Sequence, residues 1–432
     1  MRDGQHIAVV GAGISGLAAA HRLQQAGHRV ELIEREPEPG GRCGASLLGD
    51  RPIMAGGRLI GRKYTALREF LTELGPFGLE RYPLRMSRIV DGALFTIDHR
   101  DRSGGLRHLI EAGAPAPDVA KFSYLATRAM TADGLLEPGY YARLAAHSDH
   151  KPLSEHFGPA LTEILLRPMT VWTHGAEPEE VYLGSFGATL ATVLDDFDRL
   201  TDGIQPVFDA LSRQVVLRTG ATASRLLVRN GRVRGLVIAE KGAPPIEHRY
   251  DAVLVATPAL AAADLVIDEF PAVGKLLSQI RYLPAAAAVV EYDRDIFAPD
   301  VWGITFDDGP CRAVGPESPS RRDIVRYIFA GRDARPLPSA KGFETWLARA
   351  ERAVLEHCAA TGAARRHRVT RTWDTAYCAY LPDHGDFTAK LRHEITTCTG
   401  LAVAGDYLIG TSLEACFRSG TSAADDLLAQ LV

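Results

Sequence analysis

The stretch HIAVVGAGISGLAAAHRLQQAGHRVELIE, residues 6–34, decides the fold. It opens with an apolar run at residues 6–10, which is typical of a buried parallel strand. The hexapeptide Gly11-Ala12-Gly13-Ile14-Ser15-Gly16 follows, and residues 17–25 have the composition of a helix. A second apolar run occupies residues 29–33. This order predicts a strand–turn–helix–strand unit with a glycine-rich turn at the helix N-terminus.

Each part of this unit suits the binding of a dinucleotide. Gly11 permits a tight turn, Gly13 lets a pyrophosphate approach the backbone, and Gly16 allows close packing of helix and strand. The helix N-terminus offers free N–H groups and the positive end of the helix dipole. Glu34, at the end of the second strand, can accept hydrogen bonds from a ribose hydroxyl pair. An acid here disfavours a 2′-phosphate, so the residues indicate FAD or NAD rather than NADP.

The next segment favours FAD over NAD. Residues 35–42 read REPEPGGR, so a second turn with two glycines and an arginine comes directly after the ribose acid. Gly41 and Arg42 would give a second phosphate-contacting element, which simple NAD dehydrogenases as a rule do not have.

Composition narrows the class of protein. The chain has 432 residues, 46% of them hydrophobic, and its 49 basic and 53 acidic residues give a net charge of -4. That balance gives no basis for nucleic-acid binding. Apolar runs such as Leu283–Val290 are far shorter than the ~20 residues of a spanning helix. We therefore expect no transmembrane segment, while peripheral membrane contact stays open.

The six cysteines form no CxxC pair and no cluster with histidines at zinc spacing. They indicate reduced thiols and a cytoplasmic protein without a metal site.

Residues Val9–Arg42 resemble the flavin-dependent amine oxidase superfamily, which includes monoamine and polyamine oxidases, protoporphyrinogen oxidases and phytoene or squalene-type desaturases. Residues 54–61 (MAGGRLIG) resemble the second glycine-rich loop, which in relatives passes the flavin ring. Residues 203–210 and 215–227 resemble the helix and strand that clasp the adenine. Residues 400–406 with 412–416 resemble the C-terminal flavin motif, in which a helix starting near Ser412 can face the flavin pyrimidine.

The resemblance implies FAD as the cofactor. The residues expected to hold it are Gly11, Gly13, Ser15, Gly16, Glu34, Arg35, Gly41, Arg42, Gly56, Gly57, Arg58, Leu59, Ala223, Gly405, Asp406, Ser412, Leu413 and Ala415.

The expected fold is α/β, with a Rossmann-type FAD-binding domain interleaved with an α+β substrate domain. The FAD-binding domain is expected to comprise residues 1–60, 203–260 and 396–432. The substrate domain would comprise residues 61–202 and 261–395, with a helical lobe at about 105–200.

Lysine is scarce, and this bears on the branch of the superfamily. Many amine oxidases carry a lysine at the start of a strand after an L-x-Y segment, where it holds a water near the flavin. The matching segment, Arg281–Val290, contains no lysine. The chain therefore resembles the protoporphyrinogen oxidase and desaturase branch more than the lysine-containing monoamine oxidases.

Three residues are candidates for contact with the substrate. Amine oxidases hold an amine between aromatic rings that face the flavin. Tyr380 and Tyr407 could be such walls, with core or rim residues as the alternative. Arg58 could stabilise an anionic substrate or reduced flavin, or bind a cofactor phosphate.

The resemblance implies two-electron oxidation of a C–N or C–H bond, with hydride transfer to flavin N5. The substrate would be a hydrophobic or cyclic small molecule, and O2 or another acceptor would reoxidise the flavin. Two alternatives stay open: a carotenoid- or squalene-type desaturase, and a redox-neutral isomerase or cyclase. The sequence leaves the oligomeric state open.

Overall fold

The computed structural model describes residues 4–83, 86–90, 93–97, 102–131, 144–145 and 147–431. The strands formed by these residues are β1 (His6–Val10), β2 (Arg29–Ile33), β3 (Ala45–Leu48), β4 (Arg51–Met54), β5 (Leu59–Gly61), β6 (Leu79–Tyr82), β7 (Met86–Val90), β8 (Ala93–Ile97), β9 (Phe197–Leu200), β10 (Val216–Arg218), β11 (Ala221–Arg229), β12 (Arg232–Glu240), β13 (Ile246–Arg249), β14 (Ala252–Val255), β15 (Arg281–Tyr292), β16 (Ile304–Thr305), β17 (Cys311–Ser318), β18 (Arg321–Phe329), β19 (Arg365–Ala379) and β20 (Leu401–Val403).

The longer helices among the described residues are α1 (Ile14–Gln25), α2 (Thr65–Leu74), α3 (Arg102–Glu111), α4 (Ala116–Thr131), α5 (Arg167–His174), α6 (Leu183–Val193), α7 (Gln205–Leu211), α8 (Ala259–Val266), α9 (Pro271–Leu277), α10 (Ala340–His357), α11 (His384–Thr396) and α12 (Leu413–Leu431).

A five-stranded parallel sheet forms the first half of the structure, with the strand order β10-β2-β1-β14-β20. Its strands come from both chain ends and from the middle of the chain. The central strands β1 and β14 are almost wholly buried, because apolar clusters cover both faces of the sheet. The carboxyl ends of β1, β14 and β20 lie side by side at one edge, where open α/β sheets bind ligands.

A seven-stranded mixed sheet forms the second half, with the order β19-β15-β18-β17-β16-β7-β8. Its pairs are antiparallel except for β7 with β16. Helix α10 packs its apolar face on this sheet through Phe343, Leu347, Ala350 and Val354. Two small sheets, β11-β12-β13 and β5-β9-β6, and the hairpin β3-β4 complete the strand arrangement of the described residues.

The predicted helical lobe is helical over much of its described length. Helices α3 to α6 share one apolar cluster that includes Leu125, Leu161 and Phe186. Residues 132–143 and 146 of the predicted lobe lie outside the described residues. The mixed α/β architecture agrees with the predicted fold class, and the domain boundaries stay predictions.

One predicted strand is divided in two. Residues 215–227 were expected to form a single strand, but Gly220 adopts a φ of +66° and turns the chain. Strand β10 joins the parallel sheet beside β2, whereas β11 starts the sheet with β12. No helix within the described residues is both long and apolar enough to cross a bilayer.

Candidate active site

A cavity of about 1740 Å³ opens at the carboxyl ends of β1 and β14 and extends to the seven-stranded sheet and to helices α5 and α6. Sites for one small ligand typically measure roughly 300–1,000 Å³. The cavity therefore has room for a large cofactor together with a substrate.

The glycine-rich turn forms one end of the cavity. Gly11 has a φ of +99°, and a Cβ there would lie 2.8 Å from the Ala256 carbonyl oxygen. A Cβ at Gly16 would lie 1.8 Å from the Gly11 oxygen, so helix α1 packs against the turn only because this residue is glycine. Gly13 lines the cavity beside Ser15, and a Cβ there would meet nothing within 4 Å. The structure thus leaves an open cradle at Gly13, where a phosphate can approach the backbone.

The acid after β2 is part of the same wall. The Glu34 carboxylate accepts the Ala12 N–H at 2.8 Å and the Glu36 N–H at 3.0 Å, and its side chain is buried. Both oxygens retain acceptor capacity toward the cavity that Glu34 lines. Arg35 lines the rim, and its exposed side chain lies 3.3 Å from Glu36. Ala223 lines the cavity from β11.

The second glycine turn lies against the first. Gly41 has a φ of +54°, and a Cβ there would lie 3.7 Å from the Gly13 Cα. Arg42 donates to Asp406 at 2.7 Å and to the Ala376 carbonyl at 3.0 Å. Burial opposes the charge on Arg42, but the Asp406 carboxylate outweighs it and raises the pKa of the guanidinium.

The loop at residues 54–61 is packed on that turn. A Cβ at Gly56 would lie 2.0 Å from the Arg42 carbonyl oxygen, and the Gly57 N–H donates to the same oxygen at 3.1 Å. Gly57, Arg58 and Leu59 line the cavity. The close approach of the two turns therefore requires glycine at position 56.

Arg58 is buried in a charged cluster on the wall of the cavity. Its guanidinium donates to the Glu317 carbonyl at 2.7 Å and lies 4.5 Å from the centre of the Tyr82 ring. Arg326 donates to the Glu317 carboxylate at 2.8 Å and to the Met54 carbonyl at 2.6 Å. Burial opposes the charge of Glu317, but Arg326 and Arg58 outweigh it and lower the pKa of this carboxyl group. The cluster ties the loop at residues 54–61 to strands β17 and β18.

The C-terminal segment supplies the opposite wall. Asp406 is 1% exposed, and its carboxylate also accepts the Tyr282 hydroxyl at 3.0 Å. Gly405 and Leu413 line the cavity, as does Ser412, whose hydroxyl accepts the Ala415 N–H at 3.1 Å. Ser412 therefore caps helix α12, whose N-terminus borders the cavity. Ala415 is fully buried behind this wall.

The two candidate aromatic walls have different surroundings. Tyr380 lines the cavity and donates to the Asp406 carbonyl at 3.1 Å. Tyr407 is fully buried in the core, where its hydroxyl donates to the Ala404 carbonyl at 3.1 Å. Its ring lies over Gly405, and a Cβ on that glycine would be 2.3 Å from Tyr407 Cε1. The structure therefore corrects the expectation for Tyr407, which is a core residue and not a wall of the cavity.

Small and aromatic side chains line the rest of the cavity. Ala285, Ala286 and Ala287 of β15 face it together with Trp172, Trp302, Trp373 and Tyr377. All seven lysines lie within the described residues, and none of them lines the cavity. Among the described residues, no group of three or more His, Cys, Asp or Glu side chains could hold a metal ion.

Sequence reasoning missed several residues of the site. Glu317 and Arg326 lie in strands without a motif, and Trp302 lies in a loop. His174 is another such residue. It is buried at the end of α5 and lines the cavity, and its ring nitrogens lie 2.5 Å from Thr189 Oγ1 and 3.3 Å from Thr411 Oγ1. No local pattern distinguishes these residues, because their proximity depends on how the strands and helices pack.

The parallel sheet, the two stacked glycine turns and the capped helix α12 define a dinucleotide-binding enzyme of the flavoprotein type. The chain belongs to the family of flavin-containing amine oxidoreductases, whose family model matches residues 14–428. It is therefore an FAD-dependent oxidoreductase. The open cradle at Gly13, the buried acid Glu34 and the helix N-terminus at Ser412 fit that cofactor.

Individual relatives match over shorter stretches. The chain is 62% identical over 39 residues to a phytoene dehydrogenase of Streptomyces griseus. The matched stretch covers 9% of this chain and 8% of that enzyme. It is 28% identical over 193 residues to protoporphyrinogen oxidase 2 of Arabidopsis thaliana, covering 41% of this chain and 34% of that enzyme. These matches thus span 8% and 34% of the length of these two relatives.

A solved structure matches over the full length. Cyclohexylamine oxidase from Brevibacterium oxydans superimposes with a TM-score of 0.72 at 17% identity, covering 99% of both chains. At that identity the likeness shows a shared fold.

Proposed function

We propose that this enzyme oxidises a C–N or C–H bond of a hydrophobic or cyclic small molecule by two electrons, with O2 as the electron acceptor. One observation carries the proposal. The cavity that starts at the cofactor-type cradle of Gly13 continues into a compartment walled by Ala285, Ala287, Trp172 and Tyr377. A substrate in that compartment would lie in an apolar surrounding next to the cofactor.

Bound FAD supplies the acceptor for a hydride. The protein would hold it through the backbone at Gly13 and Gly41, the acid Glu34, and the guanidinium of Arg42. The N-terminus of α12 favours negative charge on a group bound beside Ser412.

Two kinds of side chain that often serve as bases are unsuited to that role in this cavity. No lysine lines the cavity, and burial lowers the pKa of His174, the histidine at the end of α5, to about 4. A neutral imidazole with both nitrogens near threonine hydroxyls is a poor proton acceptor for a substrate. This arrangement supports hydride transfer in which neither a lysine nor His174 acts as the base.

Anaerobic addition of candidate substrates to the purified holoenzyme tests the proposal. We expect the visible absorption band of oxidised flavin to bleach in proportion to the substrate added. Admission of O2 should restore the band and produce hydrogen peroxide. The G13A variant, which is expected to fold with impaired FAD binding, provides the flavin-poor control.

Other outcomes would replace parts of the proposal. A product of unchanged mass, formed while the flavin stays oxidised at the end of turnover, would indicate an isomerase or cyclase. Turnover that requires a quinone and fails with O2 would indicate a desaturase acting on membrane-dissolved substrates.

A cytoplasmic location is also part of the proposal, supported by the absence of disulfides among the six cysteines. Fractionation of cells that express the enzyme would test it.

A further inference from the structure

Two aromatic side chains on the seven-stranded-sheet side of the cavity form a pair, Tyr82 and Trp302, which we call the aromatic corner. Their ring centroids are 6.4 Å apart, and the ring planes meet at 79°. Tyr82 is 4% exposed, and its hydroxyl donates to the Pro316 carbonyl at 3.1 Å. The two ring planes therefore meet at nearly a right angle, and Trp302 is the more exposed of the two rings.

Each ring of the aromatic corner is covered by a guanidinium. The Cζ of Arg58 lies 4.5 Å from the centre of the Tyr82 ring, and the Cζ of Arg322 lies 4.4 Å from the centre of a Trp302 ring. Such cation–π contacts hold a ring in one orientation and occupy one of its faces. Tyr82 is almost wholly buried, whereas the partly exposed Trp302 retains surface on the cavity for other contacts.

Arg322 also holds the loop that carries Trp302. Its guanidinium donates to the carbonyl oxygens of Ala298 at 2.7 Å, Pro299 at 2.8 Å and Val301 at 2.8 Å. The side chain of Arg322 is buried. Three carbonyl acceptors around one buried cation leave the loop little freedom, so Trp302 has a defined position.

Gly315 of β17 lets this loop approach the sheet. A Cβ at Gly315 would lie 2.9 Å from the Trp302 carbonyl oxygen and 3.5 Å from the Tyr82 hydroxyl. Gly315 lines the cavity together with Val314 and Ile328, so the corner opens onto an apolar surface.

We propose that the aromatic corner binds a planar aromatic ring of the substrate, and that Arg322 is the positioning residue for Trp302. The proposal rests on the proposed function, to which it adds the class of substrate. A flat ring can stack on or meet the edge of the partly exposed Trp302 ring, which Tyr82 backs at nearly a right angle. A saturated ring of the same size buries similar area but lacks the π contact.

Equilibrium binding of phenol and cyclohexanol to the oxidised holoenzyme tests this proposal. The two probes share a six-membered ring and a hydroxyl group, and calorimetry or perturbation of the flavin spectrum measures their affinity. We expect phenol to bind about 2- to 10-fold more tightly than cyclohexanol, the range that one aromatic pair contributes beyond its buried area.

Substitution of Trp302 shows whether the phenol preference comes from the aromatic corner or from the rest of the cavity. W302L should remove the preference for phenol, and W302F should keep part of it. W346L is the matched control, because Trp346 stacks on Phe329 in another part of the protein and does not line the cavity. A full phenol preference in W302L, with FAD retained, would refute the aromatic corner as the site. The aromatic corner would also be refuted if W346L lost the preference for phenol while W302L kept it.

Arg322 is tested through its coupling to Trp302. R322M should weaken phenol binding without changing FAD affinity, and the double variant W302L/R322M should bind phenol as W302L does. R321M is the control, because Arg321 pairs with Asp323 and Glu291 and does not line the cavity. If the losses of phenol affinity in W302L and R322M added up in the double variant, Arg322 would not act by positioning Trp302.

The two proposals fail in different ways. Phenol preference that depends on Trp302 would stand even if the catalysed reaction proved not to be a net oxidation. Conversely, substrate-dependent bleaching of the flavin in a W302L variant with unchanged KM would support the proposed function and refute the aromatic corner.

Discussion

Arg42 and Asp406 lie 364 residues apart in the chain and form an ion pair with an N–O distance of 2.7 Å on the cavity wall. Arg42 belongs to the second glycine turn, and Asp406 follows β20 at the other end of the protein. The Asp406 carboxylate also accepts the Tyr282 hydroxyl from β15 at 3.0 Å. This one carboxylate therefore connects the N-terminal motif, the C-terminal motif and the seven-stranded sheet.

Loss of the ion pair between Arg42 and Asp406 should destabilise the protein. R42M leaves the Asp406 carboxylate buried without its cation, so we expect the free energy of unfolding to fall by about 3–5 kcal/mol. FAD affinity should fall as well, because Arg42 lines the cavity. Chemical denaturation of the FAD-free protein and FAD titration measure the two effects. R22M is the control, since Arg22 and Asp425 form an exposed pair of the same length and should contribute less than about 1 kcal/mol. Equal losses in the two variants would contradict the prediction.

Two neighbouring glycines should have opposite phenotypes. A methyl group at Gly13 meets no protein atom, so G13A should fold with unchanged stability but bind FAD at least about 10-fold more weakly. At Gly16 the added Cβ would lie 1.8 Å from the Gly11 oxygen, so G16A should lower the melting temperature of the FAD-free protein. G362A, where the added methyl also meets nothing within 4 Å, should change neither quantity. A G13A variant with normal FAD affinity would show that the cofactor does not pass this glycine.

His174 should make the stability depend on pH on the acid side. Burial lowers its pKa from 6.5 to about 4 in the folded protein. Between pH 6.5 and 4, His174 binds more protons in the unfolded chain than in the folded protein. The free energy of unfolding therefore falls as the pH drops from 6.5 toward 4, and His174 does not affect it above pH 6.5. The free energy of unfolding should fall by about 3 kcal/mol between pH 6.5 and pH 4.

Denaturation of H174Q as a function of pH tests this prediction. The variant should lose less stability between pH 6.5 and 4 than the unchanged protein does. H357Q is the control, because His357 is exposed at the end of α10 and does not line the cavity. An identical acid-side loss in the protein with and without His174 would contradict the assignment.

The cluster around Glu317 should be sensitive to the removal of its carboxylate. E317Q leaves the guanidinium groups of Arg58 and Arg326 buried without an anion, so we expect destabilisation by about 3–5 kcal/mol. E80Q, which removes a partly exposed partner of Arg199, should cost less than about 1 kcal/mol. Urea denaturation of both variants measures the difference, and a neutral effect of E317Q would show that water or relaxation compensates the charges.

The N-terminal unit was predictable because its information is local. Gly11, Gly13 and Gly16 lie within six residues of one another. The positive φ of Gly11 is a property of its own backbone, and a Cβ at Gly16 would meet the nearby Gly11 oxygen. The C-terminal motif was recognisable for the same reason, since Ser412 caps the helix that begins at the next residue. Family membership and FAD follow from these motifs together.

The two tyrosines show where local information ends. Tyr380 and Tyr407 were equivalent candidates in the sequence, yet one lines the cavity and the other packs over Gly405 in the core. The direction of each side chain depends on the neighbours that the packed sheets bring to it. No spacing in the sequence encodes those neighbours.

The sequence by itself determined the class of fold, the cofactor and the position of the glycine turns, because short motifs dictate backbone geometry within a few residues. Only the tertiary structure decided which side chains face the cavity. It placed Glu317 between two arginines, buried His174 beside Thr411, and set Trp302 against Tyr82. These contacts join residues far apart in the chain, and they exist only because the parallel sheet, the seven-stranded sheet and helix α5 pack around one cavity.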